Sequence, residues 1–99
     1  MQAILVNKTH LDFETEDGQR VQGWKFFYLK NKRNPPKSYV GYEVLSSFIS
    51  DSGDELILDS LDRIMPGDHI ELIYECDGKK NYLVDLIKHE PVFDFSKPI

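Results

Sequence analysis

Between Arg20 and Tyr42 the chain has no acidic residue but carries Arg20, Lys25, Lys30, Lys32, Arg33 and Lys37. The same window holds Trp24, Phe26, Phe27, Tyr28, Tyr39 and Tyr42, half of the chain's aromatic side chains. Interleaved cations and aromatics suit one chemistry in particular. Cations follow the phosphates of an unpaired strand, and aromatic faces stack on its bases. Each stack typically contributes ~1–3 kcal/mol, and the phosphate contacts make binding sensitive to salt. Aromatics on strands also serve as core and cross-strand packing. That reading accounts for the rings, but not for six cations with no acid among them.

The overall charge argues the other way, since the net is −5. Its distribution is uneven, however. Residues 1–50 carry seven Lys/Arg and five Asp/Glu, and residues 51–99 carry five and twelve. The halves are therefore +2 and −7, which sum to the −5 of the whole. A ligand meets a local field rather than a total, so the basic half is where an anionic partner is expected. The acidic half carries Asp51, Asp54, Glu55, Asp59 and Asp62. That cluster reads first as the wet side of a helix with an acidic first turn, and second as a cation or basic-partner site.

Other chemistry is not advertised. His10, His69 and His89 are scattered without ligand spacing and Cys76 is alone, so no zinc set and no intrachain disulfide is expected. No nucleophile elbow, phosphate loop or dinucleotide fingerprint occurs. Asp12, Glu14, Glu16 and Asp17 read as the wet face of a hairpin rather than as catalytic carboxylates. The expectation is a protein that is not an enzyme and needs no cofactor or metal. The apolar run Ala3–Val6 is too short for a secretory h-region and no stretch is long enough to span a membrane, so a cytoplasmic location is expected.

The elements that position these residues read mostly as strands. Ala3–Val6 and Leu11–Phe13, separated by Asn7–His10, suggest one bulged or bent first strand. Asp17-Gly18 is a hairpin signal, and Val21–Leu29 follows as a second strand. Asn34-Pro35-Pro36 places Asn31–Ser38 in a loop, because proline removes ladder donors. Tyr39–Phe48 reads as the third strand. Ile57, Leu61 and Ile64 stand at helical spacing, which favours a short helix over Glu55–Ile64, with a strand at Glu55–Leu58 as the alternative. His69–Glu75 alternates with Ile70, Leu72 and Tyr74 on one face. After the Asp77-Gly78 turn, Asn81–Lys88 returns with Tyr82, Val84 and Leu86 on one face and Leu83 and Ile87 on the other. Gly23 and Gly41 lie within these strands and mark bends or close backbone approaches. The fold class expected is all-β: a five-stranded antiparallel OB-like barrel over residues 1–90, with a short helix between strands 3 and 4 and a tail over 91–99. Closure would remove the exposed edges of an open sheet. In the tail, Phe93 and Phe95 are candidates to pack back on the body or onto a partner.

Strand parity leaves the orientation of the aromatic strand open. With Val21, Phe27 and Leu29 inside, Trp24, Phe26 and Tyr28 line an outer surface, but Lys25 is then buried at a cost. With Trp24, Phe26 and Tyr28 inside, Lys25 is outside.

The stretch Val21-Gln22-Gly23-Trp24-Lys25-Phe26, following Asp17-Gly18, resembles the DNA-contacting strand of filamentous-phage helix-destabilising proteins, small dimeric OB-type proteins that bind single-stranded DNA. Met65-Pro66-Gly67-Asp68-His69-Ile70 and the closing hairpin resemble their second half. Similar OB-type proteins serve rolling-circle replication in phages and conjugative elements. The resemblance implies phosphate or base contacts at Arg20, Lys25 and Phe26, and a DNA-binding loop near Tyr39 and Tyr42. Trp24, the double proline, the helix and the acidic second half depart from that pattern.

The expected function is sequence-nonspecific binding of single-stranded DNA, with RNA as the other candidate strand, in replication or transfer of a phage or mobile element. The expected site is Arg20, Trp24, Lys25, Phe26, Tyr28, Lys30, Lys32, Arg33, Lys37, Tyr39 and Tyr42. A homodimer and a replication or conjugation protein are the expected partners. The alternative is a protein-interaction module or homodimeric accessory subunit without nucleic-acid affinity.

Overall fold

The computed structural model describes residues 1–94. The chain is mainly β, with elements β1 (Gln2–Glu14), β2 (Arg20–Lys30), β3 (Glu43–Ser50), α1 (Glu55–Arg63), β4 (Asp68–Asp77) and β5 (Lys80–Pro91). The strands form one antiparallel sheet in the order β3-β2-β1-β4-β5. Five strands with one helix between the third and fourth are as the sequence led us to expect. Closure into a barrel would need β3 to pair with β5. Among the described residues that pairing is not formed, and these two strands remain the edges of the sheet.

β1 is the hinge of the sheet. Its register with β2 shifts between Leu5 and Asn7. Before the shift Gln2–Ile4 also pair with β4, and beyond it β1 pairs with β2 alone. The extra residue bends the strand, so one strand serves two halves of the sheet. The β1–β2 turn is tied by Thr15 N–H to the Gln19 carbonyl at 2.8 Å, with Gly18 at φ 84°. The Thr15 hydroxyl also donates to Asp17, which holds that carboxyl below the usual value.

The core lies between the inner face of the sheet and α1. It takes Ala3 and Leu5 from β1, Phe26 and Tyr28 from β2, Ile49 from β3, Ile57 and Leu61 from α1, Ile64 at the end of that helix, Ile70 and Leu72 from β4, and Leu86 from β5. Each such side chain contributes roughly 1.5–3 kcal/mol by leaving water. The helix spacing of Ile57 and Leu61 buries one stripe, and Asp54 caps the N-terminus by accepting from Leu56 N–H at 2.8 Å. The strand alternative for Glu55–Leu58 is thereby set aside. At the other end, Lys8 of β1 donates to the carbonyls of Leu61 (2.9 Å) and Asp62 (3.2 Å), and Lys88 of β5 donates to that of Arg63 (3.2 Å). Two strands thus satisfy the orphan carbonyls and oppose the negative end of the helix dipole. No helix of the described residues is long and apolar enough to cross a membrane.

Three expected boundaries and faces shift. β3 starts at Glu43, so Tyr39–Tyr42 belong to the loop, and Gly41 sits there with φ 112°. In β5 a register shift between Ile73 and Tyr74 turns Leu83 toward the core beside Leu86, and leaves Tyr82 and Val84 exposed. β5 also runs to Pro91, beyond the expected end of the domain at 90. Val92 and Phe93 then donate backbone hydrogen bonds to the Gly67 carbonyl, and a methyl at Gly67 would overlap the Phe93 carbonyl. Phe95 and the rest of the expected tail lie outside the described residues.

Candidate nucleic-acid interface

Register settles the orientation of β2. Residues opposite one another in antiparallel strands share a face. Trp24 faces His10 and Ile49, Phe26 faces Lys8 and Ser47, and Tyr28 faces Leu5 and Leu45. This is the inner face, where Phe26 is 0% and Tyr28 3% exposed. The other face carries Thr9, Leu11 and Phe13 of β1, Val21, Lys25, Phe27 and Leu29 of β2, and Val44, Ser46 and Phe48 of β3. Lys25 therefore stands outside, at no desolvation cost.

This corrects the expected site at several positions. Phe26 is sealed in the core and cannot stack on a base. Tyr28 is likewise buried. Its hydroxyl lies 3.3 Å from that of Tyr74 and 3.4 Å from Ser47 Oγ, and Ser47 and Tyr74 are 3.1 Å apart. Burial pushes the Tyr28 phenol up to about 12, with the neighbouring Ser47 acting against and Tyr74 with the shift. Trp24 packs partly buried behind the sheet, edge-on to His10 at 5.2 Å and under Lys8 Nζ at 5.7 Å. His10 in turn meets Asp51 at 2.8 Å. Arg20 is spent on Asp12 at 2.8 Å and Glu14 at 4.0 Å. Lys30 stands opposite Glu43 on the inner face.

The outer face offers a different constellation. Lys25 Nζ lies 5.2 Å from the Phe27 ring, and Lys25 is paired in register with Phe48. Phe48 is 45% exposed, and its ring lies against Gly23, where a methyl would overlap both the ring and the Ile49 carbonyl. The missing side chain at Gly23 is what lets the ring approach the strand so closely. Phe13 and Val44 extend the exposed apolar band to either side. The carboxylates of the first three strands, Asp12, Glu14 and Glu43, all project from the opposite face.

No family model, curated protein or solved structure matches this chain.

The loop from Asn31 to Tyr42 leaves and returns at the Leu29–Val44 end of the outer face. Lys32 is held at its base, 3.2 Å from Glu43 and 5.3 Å from the Tyr39 ring, while the Tyr39 hydroxyl donates to the Tyr42 carbonyl at 3.0 Å. Lys32 and Tyr39 thus stiffen the loop and are not free to engage a ligand. Arg33 and Lys37 are exposed and meet no carboxylate among the described residues, and the Tyr42 ring is exposed as well. Of the expected residues, Lys25, Arg33, Lys37 and Tyr42 remain available. Phe48 and Phe13 were not anticipated, and Phe27, one of the aromatics of the basic window, is not in the expected site. The signal for them was the lysine between two aromatics, which reports which parity faces water. No group of three or more His, Cys, Asp or Glu side chains among the described residues could hold a metal.

Proposed function

We propose that this protein binds single-stranded DNA along the outer face of β1–β3, without sequence preference, as an accessory to replication or transfer of a phage or mobile element. The observation that carries the reading is the carboxylate-free outer face, where Lys25 stands among Phe27 and Phe48 beside a loop bearing Arg33 and Lys37. Exposed rings offer stacking surfaces tolerant of any base, and unpaired cations offer counter-charge to the phosphates between them. The path is short and its cations are few, so binding by one chain is weak and depends strongly on salt. The test is anisotropy of a labelled oligo(dT) at low and high salt, with oligo(U) as competitor. Binding that fades as salt rises supports the reading. No anisotropy change at low salt refutes it.

A second reading rests on the same face. Phe13, Val44 and Phe48 are exposed on a sheet whose two edge strands are unpaired. Exposed apolar area next to open edges favours association with a second copy, with or without nucleic-acid affinity. Sedimentation equilibrium without DNA separates the readings. A dimer that occludes Phe48 and ignores oligonucleotides supports the interaction module, and a monomer at all concentrations removes it.

A further inference from the structure

Two hollows meet at His69, on the side of the sheet where β4 joins β1. The smaller, of about 220 Å³, lies between the N-terminal half of β1, the base of the β2–β3 loop and the segment after β5. Its lining includes Ile4, Leu29, Tyr42 and Val92, with the polar side chains of Gln2, Asn31 and His69 among them. This is below the ~300–1,000 Å³ of drug-sized pockets and suits one planar ring system. The Asn31 side-chain amide makes no hydrogen bond among the described residues, so its donors and acceptor are unspent where it lines the hollow.

The larger hollow, of about 700 Å³, is open and is lined by Arg63, His69, Lys88, His89 and Glu90. The His69 and His89 rings stack with centroids 4.7 Å apart. Lys88 reaches Asp68 at 3.5 Å, whereas Arg63 meets no carboxylate among the described residues. His69 is oriented from β1. The Gln2 amide nitrogen donates to Glu71 at 2.6 Å, so its carbonyl oxygen accepts from His69 Nε2. Chain-distant histidines, a lysine and an arginine are thereby gathered beside an apolar slot.

We propose that these adjoining hollows hold one nucleotide, its base against Tyr42, Leu29 and Ile4 with Asn31 hydrogen-bonding its edge, and its phosphate against Arg63 and His89, since Lys88 is held by Asp68 and the Arg63 carbonyl. The proposal deepens the single-strand reading and rests on it in taking that nucleotide to be one unit of the bound strand. An apolar slot alone would take any flat ring, and a cationic hollow alone any anion. Their meeting at one residue selects a ligand that has both parts. Glu90 at the rim opposes the phosphate, which makes Arg63 the group whose loss matters most.

The test uses the isotope-labelled full chain and the four 5′-deoxynucleoside monophosphates, followed by NMR, with deoxynucleosides and inorganic phosphate as separate probes. The expected result is that a monophosphate shifts the Asn31 amide, the Tyr42 ring and both imidazoles. A nucleoside should shift only the first two, and phosphate only the imidazoles. Asn31→Ala and Arg63→Gln should each weaken the monophosphate about three- to tenfold. Monophosphates that bind nowhere, or only around Lys25 and Phe48, overturn the proposal. If oligo(dT) binds and neither variant alters its affinity, the subsite is refuted and the single-strand reading stands. If monophosphates bind at Asn31 and His69 while oligonucleotides do not, the site stands and the single-strand reading fails.

Discussion

Replacing Arg33 and Lys37 together by glutamine should flatten the salt dependence of oligonucleotide binding. Three cations lie on or beside the outer face without a carboxylate partner among the described residues: Lys25, Arg33 and Lys37. Each phosphate neutralised on a single strand adds about 0.7 to the fall of log K with log salt. Three give a slope of about −2, so raising salt from about 50 to about 200 mM weakens binding roughly 20-fold. With Arg33 and Lys37 removed the slope drops to about −0.7, and the same change in salt costs only about threefold. Both side chains are exposed, so the fold should lose no more than about 0.5 kcal/mol. The control is Arg20→Gln. Arg20 is equally basic and lies in the same stretch of sequence, but it is bound to Asp12 and Glu14. Its removal takes away no free counter-charge and should leave the slope unchanged. The assay is anisotropy of labelled oligo(dT) at five or so salt concentrations for the parent and both variants. An unchanged slope for Arg33→Gln/Lys37→Gln, or an equal loss for Arg20→Gln, would refute the argument that pairing rather than sequence position decides which cations meet phosphate.

Four further outcomes follow from the same geometry. Phe48→Ala should weaken oligonucleotide binding by about 1–3 kcal/mol, the range of one base stack, as read in the same anisotropy titration. The emission of Trp24 should stay nearly constant through that titration, because Trp24 packs behind the sheet; strong quenching would move the strand to the inner face. Gly23→Ala should destabilise the fold by about 1–3 kcal/mol in urea unfolding, since the Ile49 carbonyl it meets is backbone and cannot swing aside. Tyr28 gives a pH effect of defined sign. Its phenol rises from 10.0 to about 12 on folding, so the folded state holds that proton more tightly. The contribution is intact below pH about 10 and is lost as pH climbs toward about 12. Tyr28→Phe should remove this alkaline loss, as measured by stability against pH.

The strand pattern was legible because apolar alternation and turn chemistry agree over most of the chain. Asp17-Gly18 and Asp77-Gly78 close the two hairpins where they were expected, and Ile57 and Leu61 place one helical stripe on the core. The bent first strand was legible too, since four mostly polar residues interrupt its apolar run. Tyr39–Tyr42 misled because tyrosine favours strands, whereas the prolines before it and Gly41 at positive φ hold the chain in a loop. Leu83 misled because β5 carries one extra residue between Asp85 and Leu83, which exchanges the faces, and alternation along a strand does not report where its pairing slips. The meeting of His69 and His89 was beyond sequence reading for the same reason: the stack depends on how β4 and β5 lie together.

The site illustrates how pairing register turns a basic segment into a basic surface. In sequence, Arg20, Lys25 and Lys30 recur at equal intervals of five along one strand. An odd interval alternates faces, so Arg20 and Lys30 share the inner face with Asp12, Glu14 and Glu43, while Lys25 alone crosses to the outer one. The carboxylates of β1 and β3 therefore neutralise or face the two cations that point inward and leave the third unopposed. On the other half of the sheet the outer face carries Glu71 of β4 and Asp85 of β5. A polyanion laid on the outer face is held over β1–β3 and repelled where Glu71 and Asp85 stand, which leaves the His69–His89 end of β4–β5 as its way past β1. The opposite signs of the chain's two halves thus bound a path, rather than cancel into an unremarkable net charge.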